Sequence, residues 1–455
     1  MRNRLEEIIK KYKKLCDYIE IRLEEKELLG INLKDKEIDS IKRSFDKGGC
    51  IRAAYKGGWG FCSFNDIEKI EEFVEAAIKQ ARFVGTTKTE LAEVDIIDTH
   101  VKLELITDPR NISLEEKLKL LQHYNDIILG SHPSITNSRV SYFDTSRTIT
   151  FTNSEGTYIV QEMLDSGLGM SSIAQKNGIV QSTNTTRGTT NDFNIYKNLE
   201  KEVIQNCLIA VQLLDAPKVK GGIYTVVCDQ QLTGVFVHEA FGHMSEADLY
   251  GENPKMAEVL KIGKQYGSEI LNIYDTGLDK GSRSYLVYDD EGVKTEKTYL
   301  IKNGILVGRL HTRETAAKLS EKPTGNARAM SYRYAPICRM RNTCIEQGNS
   351  KFEDMISDIK LGVYAVDSSG GSGGEMFSFT AGYGYMIRNG KIEELVRDVK
   401  LIGNLFVTLK NIDMIGNDYV LRDGPGGCGK GAQFPVPVSH GSPSIRIQNL
   451  TVGGS

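Results

Sequence analysis

Two histidines five residues apart constrain this chain more than any other feature. They lie in the run His238-Glu239-Ala240-Phe241-Gly242-His243. Imidazoles that hold a metal, with a carboxylate beside them that takes a proton from an attacking water, are the residue set of a hydrolytic zinc site. Histidines four apart share one face of a helix. At about 100° per residue, five steps leave two side chains about 140° apart around an ideal α-helix. Both reach one metal only if the helix is overwound, broken or bulged between them. A π-bulge does this, and such bulges are frequent at functional sites. Gly242 tolerates the irregularity. The competing reading is two hydrogen-bonded histidines on a core helix. The flanks favour the metal. Gly222–Cys228 reads as a buried strand, and residues 229–237 enter a helix with Leu232, Val235 and Phe236 at helical spacing. Glu246 and Asp248 follow, either within reach of a metal ligand or as solvated surface.

A chain of 455 residues predicts two or three domains. Its net charge of −3, with 57 Lys and Arg against 60 Asp and Glu, gives no electrostatic case for nucleic acid or an anionic membrane. No apolar run is long enough to span a bilayer. Residues 1–7 carry charge and no apolar stretch of the kind a secretory signal needs. Eight cysteines sit at 16, 50, 62, 207, 228, 338, 344 and 428, with no Cys-x-x-Cys pair. That predicts reduced thiols in a cytoplasmic protein.

The expected fold is α+β. An amphipathic helix over residues 2–15 precedes short strands at 17–23, 28–33, 37–43, 48–55 and 58–64. Asn65 or Asp66 caps a helix running to about residue 84. Ser113-Leu114-Glu115-Glu116 is a capping box for a second helix. Strands return at 139–144, 148–152, 157–163 and 167–181, and residues 196–214 form a helix that Asp215-Ala216-Pro217 stops. The domain boundary is placed there. Residues 1–217 form an N-terminal α/β domain of mostly antiparallel strands with helices, and residues 218–455 a β-rich, barrel-like C-terminal domain carrying the metal-binding helix. Two apolar strands in the second half enter Asn303-Gly304 and Asn389-Gly390, a strong hairpin signal. Residues 368–374, Ser-Ser-Gly-Gly-Ser-Gly-Gly, read as a flexible loop, either a plain linker or a mobile edge near a cleft.

A catalytic zinc usually takes three protein ligands. The foremost third candidate is Cys428, in Gly424-Pro425-Gly426-Gly427-Cys428-Gly429-Lys430, where the glycines allow close approach. Lys430 is expected to help keep a thiolate. Glu246 and His440 are weaker alternatives. His311 reads as an ordinary polar residue and Trp59 as packing at a sheet surface. Arg328, Arg339 and Arg341 either line an acidic-peptide subsite or bridge strands.

Several motifs together resemble the TldD/PmbA family of metallopeptidases, on its TldD side. They are Val237 with the histidine run, Glu246 and Asp248; Gly325-Asn326-Ala327-Arg328; Pro336 with Arg339-Met340-Arg341-Asn342-Thr343; Leu401-Ile402-Gly403-Asn404; and the glycine run ending at Lys430. They follow the family's order across the C-terminal half, while the likeness around residues 48–63 is weaker. The resemblance implies one zinc per chain on His238, His243 and Cys428, with Glu239 as catalytic base. It also implies a homodimer, or a heterodimer with a PmbA-like subunit, that takes peptide or unfolded polypeptide. PmbA-type partners lack the histidine motif. Backbone N–H groups of residues 426–429 are a candidate oxyanion site. An extended peptide is expected to add a strand to a sheet edge. Two other readings stand beside this peptidase: a non-catalytic peptide-binding subunit with a structural metal, and a small-molecule metallohydrolase.

Overall fold

Strand β1 (Tyr18–Lys34) sets the architecture of the first half. The computed structural model describes residues 1–252 and 258–453. Odd positions Ile19, Ile21, Leu29, Ile31 and Leu33 are all buried, and a period of two puts them on one face. Helices cover that face at both ends. α1 (Arg2–Tyr12) and α2 (Ile70–Val84) share a core with Ile19 and Ile21. α3 (Leu114–Gly130) and α4 (Glu200–Asp215) share another with Leu29, Ile31 and Leu33. Both capping positions hold: Asp66 accepts from the Glu68 N–H, and Ser113 from the Glu116 N–H, the Ser113 half of the expected box.

The opposite face of β1 buries charge. Arg22 pairs with Asp290 at 2.8 Å, and Arg52 on β2 (Glu37–Tyr55) pairs with Glu20 at 2.8 Å and Glu291 at 2.9 Å. Asp290 and Glu291 belong to the second half of the chain, so this face is the seam between the halves.

The strands are longer than the sequence suggests. The pairs expected at 17–23 and 28–33, at 37–43 and 48–55, and at 139–144 and 148–152 are each one strand, namely β1, β2 and β5 (Ile135–Asn153). The polar centre of β1 breaks the apolar alternation but not the ladder. Lys26 pairs with Asp46 on one side and Arg147 on the other. With β3 (Gly58–Phe64), β4 (Asp98–Val101), β6 (Tyr158–Lys176) and β7 (Ile179–Thr189) these make a seven-stranded sheet, antiparallel except for β4 on β6.

The second half builds a nine-stranded sheet from residues 222–453. β8 (Gly222–Cys228) lies inside it, antiparallel to Ile445–Gly453 and parallel to Leu361–Val366. Helix at 25% against strand at 43%, with one sheet curled into a half-barrel, makes the fold a β-rich α+β structure. Asn303-Gly304 and Asn389-Gly390 turn hairpins with positive φ at both residues, the type I′ geometry their sequence calls for. Residues 368–374 are not a free loop. Gly370–Ser372 is an edge strand paired with Met376–Thr380. Its glycines permit contacts a side chain would block: a Cβ on Gly371 would lie 2.3 Å from the Phe379 ring. Among the described residues, no helix is long and apolar enough to cross a membrane.

Arg52→Leu leaves Glu20 and Glu291 buried without their shared cation. Denaturant unfolding is expected to report a loss of about 3–5 kcal/mol. A loss under about 1 kcal/mol, as at an exposed pair, would contradict a buried seam.

Candidate metal centre

β8 delivers the chain into α5 (Gln230–Phe236), whose first turn is capped by Asp229 accepting from the Leu232 N–H at 2.8 Å. The helix then changes register. Val237–Gly242 is π-helical, and the His243 N–H donates to the His238 carbonyl. This i→i+5 bond stacks the two histidines that an α-helix would splay apart. Val237, Ala240 and Phe241 anchor the segment in the core. Its backbone is approached closely from two sides. A Cβ on Gly242 would lie 2.0 Å from Met340 Sδ, and one on Gly373 would lie 1.9 Å from the Glu239 carbonyl oxygen.

His238 is buried, and neither of its ring nitrogens has a hydrogen-bond partner. Buried polar atoms are almost always partnered, so these nitrogens want a ligand. His243 Nε2 lies 3.3 Å from Cys428 Sγ. One donor atom each from His238, His243 and Cys428 gather within 4.8 Å of one another. Two imidazole nitrogens and a sulfur suit zinc, a borderline-soft ion that takes four-coordinate N/S sites. Cys428 stands in a hairpin opposite Val436, and Arg339 Nη2 donates to its carbonyl at 2.7 Å.

Glu246 has a different place from the ligand role considered for it. Its Oε2 lies 3.0 Å from His243 Nδ1, which leaves Nε2 to face Cys428. A carboxylate on the far nitrogen fixes the ring and raises its basicity. Lys430 does not support the thiol directly, as the sequence suggested. Its ammonium is drawn to Glu246 Oε2 at 3.0 Å and Asp248 Oδ1 at 2.6 Å, two carboxylates that outcompete a neutral thiol. His440 stacks edge-on to His238 with centroids 5.1 Å apart, and burial pushes its pKa down to about 4.

Glu239 Oε2 lies 3.8 Å from His243 Nε2, with 36% of the side chain exposed. Burial raises its pKa, and His243 partly offsets that rise. Burial, with His440 and His243 nearby, holds His238 well below the usual imidazole range. Burial also opposes charge on His243, but Cys428 and Glu246 outweigh it and raise that imidazole to about 10.

The remaining candidates resolve into structure. Arg341 pairs with Asp275 at 3.1 Å in full burial, and Arg339 binds main-chain carbonyls. Arg328 donates to the carbonyls of Met340 and Pro437. His311 is held by Thr315 and Glu321, and Trp59 packs on Arg52 and Tyr18. The Gly424 and Gly426 carbonyls accept from Arg283, a residue the sequence did not single out. A cleft of about 510 Å³ lies along the seam, lined by Leu28, Phe143, Met163 and Arg328 among others. It excludes His238, Glu239, His243 and Cys428, but it borders Val436 on the hairpin that carries the cysteine and Pro425 in the loop before it.

Three parts of the chain match the PmbA/TldA metallopeptidase family: domain 1 over residues 19–81, the central domain over 107–211 and the C-terminal domain over 221–454. The chain belongs to the PmbA/TldD family. A metalloprotease of Synechocystis sp. is 43% identical over 452 residues, covering 99% of this chain and 97% of the relative. A zinc metalloprotease TldD homolog of Saccharolobus solfataricus is 31% identical over 427 residues, covering 91% of each. The crystal structure of TldE from Thermococcus kodakarensis shares the fold, with TM-score 0.78 and 17% identity over 99% of this chain and 100% of that one. In this PmbA/TldD chain the two histidines that follow the β8–α5 unit meet Cys428 from the distant hairpin in a His-His-Cys cluster.

Zinc affinity measured by chelator competition across pH tests the site. A ligating imidazole must be neutral. A ligating cysteine must also lose its proton, and Cys428 and Glu246 hold the His243 imidazole above its ordinary range, so apparent affinity should rise as pH is raised from neutrality. Glu246→Gln should weaken binding about 10–100-fold at fixed pH. A flat pH profile, or an unaffected variant, would contradict the role given to the His243–Glu246 pair.

Proposed function

We propose that this chain is a zinc-dependent peptidase acting on small or unfolded polypeptides. One zinc per chain would be held by His238, His243 and Cys428, with Glu239 as general base. The observation that carries the reading is the pair of unpartnered nitrogens on buried His238, converging with His243 and Cys428 beside a half-exposed glutamate. When bound, zinc supplies a Lewis acid for the scissile carbonyl and an acidified water, and a thiolate ligand makes that Lewis acid milder.

The chain's own groups do the rest. Glu239 is reachable from solvent, so it can accept a proton and return it to the leaving amine. Its raised pKa brings the two directions of transfer closer in energy near neutral pH. Glu246 keeps the His243 ring aimed. The edge strand Gly370–Ser372 offers main-chain groups next to Gly373, which abuts Glu239. An extended peptide added there would be read through its backbone, which suits many side chains and no folded partner.

Residues 1–217 act as the N-terminal α/β domain and residues 218–455 as the metallopeptidase domain. The setting is cytoplasmic, in keeping with eight free cysteines. The working assembly is a homodimer or a heterodimer with a PmbA-like subunit.

Digestion of an unfolded model polypeptide by the zinc-loaded protein, beside Glu239→Gln, tests the function. The variant should keep its zinc and lose about 10²–10⁴-fold in cleavage rate. Equal cleavage by both proteins would remove Glu239 from the mechanism. Zinc bound by a fourth protein ligand, with no cleavage, would favour the non-catalytic subunit instead.

A further inference from the structure

We infer that Arg283 is a positioning residue for the metal site: through it, the sheet of the first half holds the loop that presents Cys428. The inference rests on the metal-site reading above. Residues 424–427 are Gly-Pro-Gly-Gly. Such a loop has little side-chain anchorage and much conformational freedom to lose. Something outside it must fix the thiol.

The Val436 pairing and Arg339 hold Cys428 from its C-terminal side, and Arg283 fixes the glycine loop that leads into it. Its Nη1 donates to the carbonyls of both Gly424 and Gly426, and its backbone N–H donates to Asp423 Oδ1 at 3.3 Å. The other edge of the guanidinium makes a two-pronged pair with Asp165 on β6, Nε to Oδ1 at 2.6 Å and Nη2 to Oδ2 at 2.8 Å. Bidentate pairing fixes direction as well as distance. The side chain is 2% exposed, so solvent cannot substitute for these partners.

The first sheet is shaped to receive it. Asp165, Gly167 and Gly169 alternate along β6 and so share a face. A Cβ on Gly167 would lie 2.9 Å from Pro425 Cα, and one on Gly169 would lie 3.0 Å from Pro425 Cγ. Gly188 on β7 is the ladder partner of Gly167, and its Cβ would lie 2.4 Å from Arg283 Cδ. Phe143 on β5 lies under the guanidinium, 5.2 Å from ring centroid to Cζ. Three adjacent strands of the first half thus seat one arginine and one proline, and these hold the loop that ends at Cys428. The first half is part of the metal site although it supplies no ligand.

The test uses the full chain loaded with cobalt(II), whose visible ligand-field absorption reports the coordination sphere and whose near-ultraviolet sulfur-to-metal charge-transfer band reports the thiolate. The wild-type protein should show the sulfur band. Arg283→Met should keep cobalt on the histidines, lose most of the sulfur band and bind cobalt about 10–100-fold more weakly. Arg283→Lys keeps the charge opposite Asp165 and should recover part of the band. If Arg283→Met fails to fold, Asp165→Asn carries the test. It weakens the two-pronged hold on the guanidinium from the far side while leaving the loop's own residues unchanged, and it should weaken the sulfur band. An unchanged band and affinity in the folded variants would overturn the positioning role while leaving Cys428 a ligand. A wild-type protein that binds cobalt with no sulfur band would overturn the metal-site reading beneath it, and this inference with it.

Discussion

One backbone hydrogen bond, from the His243 N–H to the His238 carbonyl, decides whether this chain has a site. In an α-helical register the two imidazoles would point about 140° apart. In the π register they converge. Such a register is held from outside, because it is rare and mostly confined to single turns within α-helices. Here Val237, Ala240 and Phe241 sink into the core on one side. Gly242 and Gly373 let Met340 and the edge strand close on the segment from others. The distortion, the buried histidine and the exposed flank of Glu239 are consequences of the same packing.

The two halves of the chain meet through charge. Arg22, Arg52 and Arg313 each reach across the seam to a carboxylate, the last to Glu155 at 2.7 Å. Buried pairs of this kind give back much of their Coulomb energy as desolvation, and breaking one is expensive. Their effect here is geometric: a displacement of one half against the other strands several ions at once. A seam tolerant of sliding would serve poorly, because the long cleft and the hairpin carrying Cys428 both lie along it.

The sequence made the centre of the site legible because its chemistry is local. His238, Glu239 and His243 fall within six residues, and their spacing alone requires the helix to depart from α. Residue types put Cys428 foremost among three third-ligand candidates, ahead of Glu246 and His440, and the family resemblance implies the same residue. The fold gathers its sulfur with the two histidines, and gives Glu246 to the far side of the His243 ring. Lys430 pairs with Glu246 and Asp248, and no pattern along the chain predicts that choice. Strand ends were misread where both faces of a strand are polar or charged, as at residues 24–27, since alternation needs one face to be apolar. The glycine run at 368–374 looked like freedom when read alone. Its lack of side chains instead lets an edge strand lie against the Glu239 carbonyl. Arg283 was illegible for a plainer reason: its partners lie 118 and more than 140 residues away.

X-ray absorption at the zinc edge of the metal-loaded protein tests the central claim most directly, because it counts ligand types without reference to activity. The π register and the Cys428 hairpin together predict two imidazole nitrogens at about 2.0–2.1 Å and one sulfur at about 2.3 Å. A shell of nitrogen and oxygen alone, or a single imidazole, would contradict it. Either result would mean that the register change in the helix does not serve to bring these three side chains to one ion.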